Sequence, residues 1–374
     1  MGEGDVLESA RRVAPLARER AEGAEAAGRL PADLVAALAE AGLFRLFVPK
    51  AYGGLEVEPL VGLEAIEVVS QADGSAGWCV NIGATTATMS WYLEPEWARR
   101  IYGDPMVVTG GTFAPGGTGR VVDGGWVVDG RWGWGSGTQH CQWVNAGVRT
   151  DDGEFHLMYV PAEDVRFLDT WHVAGLEATG STDFAIEGAF VPRGRTMQPT
   201  VSATRVDVPL AHVPNFTLLA SGVATVVLGI ARRAVDELAS LVVERAPSLG
   251  RQPLSHLGVV QLALARAEAD VASARAHLFD QVGRLWEAVR SGARPSVAQR
   301  ADVRLACSAG AAAARAAVDR CFTVAGGSAV YLTSPLQRCL RDVHVASQHA
   351  MLSPRVFETW SRVRLGLDAD TALL

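Results

Sequence analysis

The chain has 374 residues, 49% of them hydrophobic, enough to bury a large core and to form two or three domains. A formal net charge of -7 offers no basic footprint for a phosphate backbone, so nucleic acid is not an expected partner. Met1 to Asp5 carries neither a basic nor an apolar leader, and the longest apolar run, Leu218 to Ala231, falls short of the roughly 20 residues that span a bilayer, so a cytoplasmic protein without membrane attachment is expected.

Residues 5 to about 104 carry apolar side chains at helical spacing. Ala32 to Ala41 reads as a helix opened by Pro31 at a first-turn position and stopped by Gly42; Val61 to Val69 and Ala76 to Leu93 continue the pattern. From about 106 to 200 the texture changes to short Val, Trp and Phe runs between Gly-rich turns. Val121 to Trp132 reads as a β-hairpin, because the pairs Asp123-Gly124 and Asp129-Gly130 supply the positive φ that tight turns need. Trp132 and Trp134 then alternate onto one strand face. Beyond about 210 the chain is helical again over Leu218 to Val243, Leu257 to Arg290 and Val297 to Ala325. Two short helices follow, with a break at Ser353-Pro354, where a Ser N-cap precedes a Pro at the first helical position. The order is helices, strands, helices: an α+β chain with domains expected at 1–105, 106–205 and 206–374.

The chain lacks the signatures of several common chemistries. Lys50 is its sole lysine and lies in a turn-rich stretch, which rules out a P-loop and makes a Schiff base a poor expectation. GxGxxG, GxSxG and HExxH do not occur. Cysteines 79, 141, 307, 321 and 339 form no CxxC pair, as expected of reduced thiols rather than disulfides or zinc ligands. A cofactor has to bind through a less local pattern.

Such a pattern runs along the chain: Asp73-Gly74-Ser75-Ala76-Gly77-Trp78, then Gly130-Arg131-Trp132-Gly133-Trp134-Gly135-Ser136-Gly137, then Thr170-Trp171 and Gly175-Leu176-Glu177-Ala178-Thr179-Gly180-Ser181 before Val191-Pro192. Gly326-Gly327-Ser328-Ala329-Val330-Tyr331, Arg341-Asp342-Val343-His344 and His349 complete it. This series resembles the acyl-CoA dehydrogenase superfamily over essentially the whole chain. The resemblance implies an N-terminal helical domain, a central β domain and a C-terminal four-helix bundle, assembled as a homotetramer or dimer of dimers. The dehydrogenases' carbanion-forming glutamate has no match, since Phe357 to Asp368 offers only Glu358, and the alternative position near Ala211 to Asn215 has no carboxylate. A histidine, His349, stands instead where the flavin-dependent monooxygenase branch places its catalytic base. Within that branch the chain resembles the oxygenase components of 4-hydroxyphenylacetate-type hydroxylases and dibenzothiophene monooxygenase.

By this resemblance Ser136 is the hydroxyl that contacts flavin N5, although a serine in a Gly-Ser-Gly turn is also an ordinary turn residue. Trp134 and Trp171 are implied to wall the isoalloxazine ring, with core packing as the competing reading in a chain of ten tryptophans. Gly110 to Gly119, with Thr112 and Phe113, corresponds to a loop running past flavin and substrate; Trp78 is placed with Phe113 at the substrate. Arg245 and Arg251 are candidates for the flavin phosphate, their guanidinium forks suiting bidentate contact, and Gly326-Gly327 for the nucleotide end of a flavin bound mainly by a neighbouring subunit. Arg341 and Asp342 form an internal ion pair or touch ligand.

His349 shares helical spacing with Val345, Leu352 and Val356, which fits a core histidine as well as a base. An unperturbed pKa near 6.5 suits it to remove a phenol proton, with His344 as second candidate on the substrate side. The two histidines lie five residues apart, about 140° around a helix, so no metal site is expected of them. The implied activity is that of the oxygenase component of a two-component monooxygenase. Reduced FMN or FAD from a separate flavin reductase, with molecular oxygen, would hydroxylate an aromatic or polyketide-like small molecule through a flavin C4a-hydroperoxide. An acyl-CoA dehydrogenase with a relocated base and a non-catalytic ligand-binding scaffold are the alternatives. Asn81 to Trp91 contains no histidine, where many aromatic hydroxylases of the branch carry one, so the substrate need not be a phenol.

Overall fold

The computed structural model describes residues 3–199, 201–244 and 253–374. Its helices are α1 (Glu3–Ala27), α2 (Ala32–Glu40), α3 (Pro59–Ala72), α4 (Gly74–Thr86), α5 (Pro95–Tyr102), α6 (Asn215–Glu244), α7 (Gly258–Arg290), α8 (Val297–Ala325), α9 (Pro335–Ala346) and α10 (Arg355–Arg364). Its strands are β1 (Thr109–Val122), β2 (Gly125–Trp132), β3 (Trp143–Thr150), β4 (Phe155–Pro161), β5 (Val165–Leu168), β6 (Asp183–Pro192) and β7 (Thr196–Met197). The order of helices, then strands, then helices is the acyl-CoA dehydrogenase-like α+β arrangement. By compactness the chain forms two units, one of Met1–Ala65, Trp78–Val173 and Glu177–His212, the other of Ile66–Gly77, Ala174–Leu176 and Val213–Leu374. The border between them runs inside α3 and α4, so neither helix belongs wholly to one unit.

In the first unit the seven strands make one sheet in the order β5-β6-β2-β1-β3-β4-β7, antiparallel throughout except for the parallel pair β1 and β3. The expected hairpin is present: Val122 pairs with Gly125 across Asp123-Gly124, and Gly124 takes the left-handed φ of 77° that the two-residue turn demands. Asp129-Gly130 makes no turn; it lies inside β2, beside an irregularity in the pairing with β6. Trp132 fills the sheet's inner face, stacked on Phe184 at 5.3 Å and donating its indole N–H to Gly147 O at 2.7 Å. A Cβ at Gly117 would meet this indole at 2.3 Å, so the glycine makes room for the tryptophan. Gly110 to Gly119 is not a loop but part of β1, bulged between Thr112 and Gly117. The bulges shift register and re-aim the strand at Phe113. A buried cluster that includes Tyr52, Met89, Leu93, Ile101, Tyr102, Leu157 and Tyr159 joins helical and strand segments of this unit, and Phe113 packs against it.

In the second unit α6, α7, α8 and α9 pack together as a bundle with α10 against α8. Helix α8 turns buried alanines 301, 306, 311, 314 and 317 to its neighbours, small side chains that allow close approach. It opens with a capping box: Ser296 Oγ accepts from Gln299 N at 3.2 Å, and Gln299 Oε1 accepts from Ser296 N at 2.9 Å. Helix α6 outruns the apolar stretch Leu218 to Ala231. By length and composition it could cross a membrane, but 89% of its most apolar window is buried in the fold, as in the core helix of a bundle. The Arg233 guanidinium donates to the carbonyl of Ala72 at the end of α3, a cation at a helix C-terminus. Arg275 Nε holds both Glu67 carboxylate oxygens, at 2.7 and 2.9 Å.

Candidate active site

Ser136 is buried, 6% exposed, in the turn that follows β2. Two backbone bonds dock this turn onto the 179–182 segment, Gly135 N to Thr182 O at 3.0 Å and Gly137 N to Thr179 O at 2.8 Å. Docking aligns three hydroxyls: Ser136 Oγ lies 2.6 Å from Ser181 Oγ, which lies 2.6 Å from Thr179 Oγ1. Trp78 Nε1 donates to Ser136 Oγ at 2.9 Å, bringing together two residues expected at the site. A hydroxyl has one proton and two lone pairs, so with these two partners Ser136 keeps one further hydrogen-bonding position. Sequence reasoning quoted Thr179 and Ser181 within a motif but gave them no role; adjacent hydroxyls flanking a glycine were the available signal.

Trp134 departs from expectation. Strand β2 ends at Trp132, so the two do not share a strand face: Trp134 sits past the end at φ 58°, rare for a residue with a side chain, and 73% of its surface is exposed. Trp171 is part-buried and lines a cavity of about 260 Å³ with Gly28, Arg29, Gln139, Asp169 and Thr182. Thr112 is part-buried on the bulged strand, and its hydroxyl donates to Gly133 O at 2.9 Å, just before Trp134. A polar hydroxyl with a position to spare, close in sequence to an exposed indole, fits the edge and face of a planar, hydrogen-bonding ring such as a flavin.

In the second unit His349 is not helical. Helix α9 stops at Ala346, and His349 begins a short 3-10 turn, Ala350–Leu352, with φ -59° and ψ 136°. Its Nδ1 accepts from Met351 N at 3.2 Å, so the neutral ring carries its proton on Nε2. Burial, then the nearby Arg304 cation, lowers its pKa to about 4. The ring is therefore neutral well below pH 7, a weaker base than the ordinary value near 6.5 implied. Arg304, 2% exposed, fixes this turn, donating to Met351 O at 2.9 Å and Leu373 O at 2.6 Å. Sequence reasoning passed over Arg304, whose only signal is an arginine on the buried face of an Ala-rich helix.

His344 lies on the exposed side of α9, its Nε2 2.8 Å from Asp319 Oδ1 on α8. Asp342 Oδ1 accepts from Leu176 N at 2.6 Å, while Arg341 Nε donates to Gln337 Oε1 at 2.7 Å. A Cβ at Gly175 would meet Arg341 O at 2.5 Å, so residues 174–176 lie tight on α9. Gly326 and Gly327 are exposed at the end of α8, Gly326 at φ 65°. Arg245 and Arg251 lie outside the described residues. Glu358 is exposed on α10. Among the described residues no group of three or more His, Cys, Asp or Glu is arranged to hold a metal ion.

Comparison with known proteins adds to this geometry. Residues 6–95 match the acyl-CoA dehydrogenase N-terminal domain, and residues 221–354 match the acyl-CoA dehydrogenase C-terminal domain. Indole-3-acetate monooxygenase from Pseudomonas putida is 32% identical over 87% of this chain and 85% of its own. The oxygenase subunit HsaA of a flavin-dependent monooxygenase from Rhodococcus jostii is 29% identical over 94% of this chain and 96% of its own. The crystal structure of 3-HSA hydroxylase from Rhodococcus sp. RHA1 superposes with a TM-score of 0.93 at 28% identity, covering 99% of both chains.

Proposed function

Because the chain belongs to the acyl-CoA dehydrogenase superfamily, in its flavin-dependent monooxygenase branch, we propose that it is the oxygenase component of a two-component system. Its substrate is an aromatic or polyketide-like small molecule, and a separate reductase delivers reduced FMN or FAD. The observation that carries this reading is Ser136, held by Trp78 and Ser181 with one hydrogen-bonding position left, in a turn that also presents Trp134. When bound, reduced flavin supplies the activation of oxygen. Ser136 holds the ring edge, Trp134 and Trp171 cover its faces, and the buried setting of Ser136 excludes water. His349 handles the substrate's proton: neutral across the physiological range, its ring is held at Nδ1 by the Met351 amide, so its orientation does not depend on substrate. The resemblance further assigns Thr112, Gly326 and Gly327 to flavin and Trp78, Phe113 and His344 to substrate, with His344 tied to Asp319.

The exposed run Val330, Tyr331 and Leu332 beside the Gly326-Gly327 turn supports assembly as a homotetramer or dimer of dimers. Five free, buried cysteines support a cytoplasmic setting.

The test mixes protein with reduced FMN and, separately, reduced FAD without oxygen, then adds oxygen and follows the flavin spectrum. Reoxidation slower than that of free flavin, with one flavin favoured, is expected; reoxidation at the free-flavin rate with both would remove the oxygenase reading. His349→Ala should leave reduced-flavin affinity within about twofold and lower hydroxylated product by roughly 10²-fold or more. Unchanged product yield would remove His349 from the reaction.

A further inference from the structure

The relay Thr179–Ser181–Ser136 has a direction, and the direction is chemically consequential. Trp78 Nε1–H can only donate, so it occupies a lone pair of Ser136 Oγ in every state of the site. Ser181 then decides what remains. If Ser136 donates to Ser181, its last position is an acceptor; if Ser181 donates to Ser136, its last position is a donor. A flavin presents a donor, N5–H, when reduced and only an acceptor, N5, when oxidised. Ser136 alone, with a freely turning hydroxyl, would serve both.

The cost of the two arrangements differs once Ser181 is considered. When Ser136 accepts from a ligand, its own proton needs a home, and at 6% exposure water is a poor one; Ser181 Oγ at 2.6 Å provides it and passes its own proton to Thr179 Oγ1, again at 2.6 Å. When Ser136 donates to a ligand, losing Ser181 leaves only an under-filled lone pair, which buried oxygens tolerate better than a buried donor tolerates isolation. The relay therefore matters chiefly in the acceptor state. Resting on the reading that Ser136 meets flavin N5, we infer that Ser181, backed by Thr179, is a positioning residue that lets Ser136 act as an acceptor and so supports binding of reduced flavin more than of oxidised flavin. Trp78 belongs to the same device: by holding one lone pair permanently, it leaves Ser136 dependent on Ser181 to take its proton whenever a ligand donates to it.

Dissociation constants for reduced and oxidised FMN and FAD, measured without oxygen or substrate, test this in the full chain. Ser181→Ala is expected to weaken reduced-flavin binding roughly tenfold, the effect of leaving a buried donor unpaired, and oxidised-flavin binding less than about threefold. Thr179→Val should move the same ratio in the same direction by a smaller factor, and Ser181→Thr, which keeps the hydroxyl, should restore it. A merely structural role for Ser181 would weaken both redox forms alike, and that result overturns the proposal, as would no change in either. Ser136→Ala separates the two layers: if it alters flavin affinity while Ser181→Ala leaves the ratio untouched, only the relay fails. If Ser136→Ala affects neither redox form, the assignment of Ser136 to the flavin fails and the relay with it. The indole N–H vibration of Trp78 in flavin-free protein checks that the variants are folded: it should shift in Ser136→Ala, which loses its acceptor, and stay in place in Ser181→Ala.

Discussion

Trp134 carries a bulky indole on a left-handed backbone and exposes 73% of its surface, a combination that costs stability and yields no core packing in return. A side chain in that conformation costs about 1–2 kcal/mol, and glycine's extra freedom in the unfolded chain costs about 0.5–1 kcal/mol. Trp134→Gly should therefore be as stable as the parent or more stable by up to about 1.5 kcal/mol, melting at the same or a slightly higher temperature, while losing flavin affinity. A large drop in melting temperature would mean the indole is a structural anchor instead. His140 and His349 couple stability to pH. Burial is the largest cause in both, and each is lowered from 6.5 to about 4, so the unfolded chain binds more protons between those values. Stability is then full above about pH 6.5 and is lost as pH falls toward 4, by roughly 2 kcal/mol per histidine between pH 7.5 and 5. Urea unfolding at the two pH values should show this slope, and His140→Gln should flatten it. Parallel slopes in the variant and parent would exclude His140 as a source.

Secondary-structure elements were legible where their ends carry a chemical signal. Pro31 and Gly42 bracket α2, and Asp123-Gly124 turns the hairpin. Ser296→Ala should cost about 1 kcal/mol in urea unfolding, and Ser296→Asp should recover most of it. Elements were illegible where apolar spacing runs on after the backbone has changed course. Val345, His349, Leu352 and Val356 keep helical spacing across the end of α9, where no Gly or Pro marks the stop. There Ser347 Oγ bonds back to Val343 O at 2.5 Å, and the Gln348 amide closes a tighter turn on Val345 O. In the same way Trp-Gly-Trp mimics strand alternation, although the amide of Gly135 has already turned to Thr182 O. The bulges of β1 were hidden among glycines that read equally well as a loop. The site was half-visible for a related reason: Ser136 and Trp78 sit in recognisable motifs, whereas Ser181 and Arg304 matter through partners far away in sequence, and Thr179 through Ser181.

At the scale of the whole molecule, Val330, Tyr331 and Leu332 expose 57%, 67% and 70% of their surfaces consecutively, a liability in an isolated chain and an asset in an assembly. Tyr331→Arg with Leu332→Glu should lower the assembly state seen by light scattering and leave each subunit's helical content unchanged; an unaltered mass would place the interface elsewhere. Asp342 binds Leu176, 166 residues earlier, and Asp342→Ala should cost about 2 kcal/mol, because a buried amide loses a charged acceptor. That thread of 174–176 through the helical unit has a bearing on birth as well as on the finished molecule. Residues 66–77 leave the ribosome well over a hundred residues before 213–374, the segment that completes their unit. At about 5–20 residues per second Ser70 and Gly74 wait roughly ten to thirty seconds for Gly229 and Ile230, which lie against them, and 174–176 wait for residue 342. Synthesis thus leaves a long interval in which a chaperone, or an aggregate, competes for these unmatched surfaces, and translation speed past residue 213 becomes a determinant of yield.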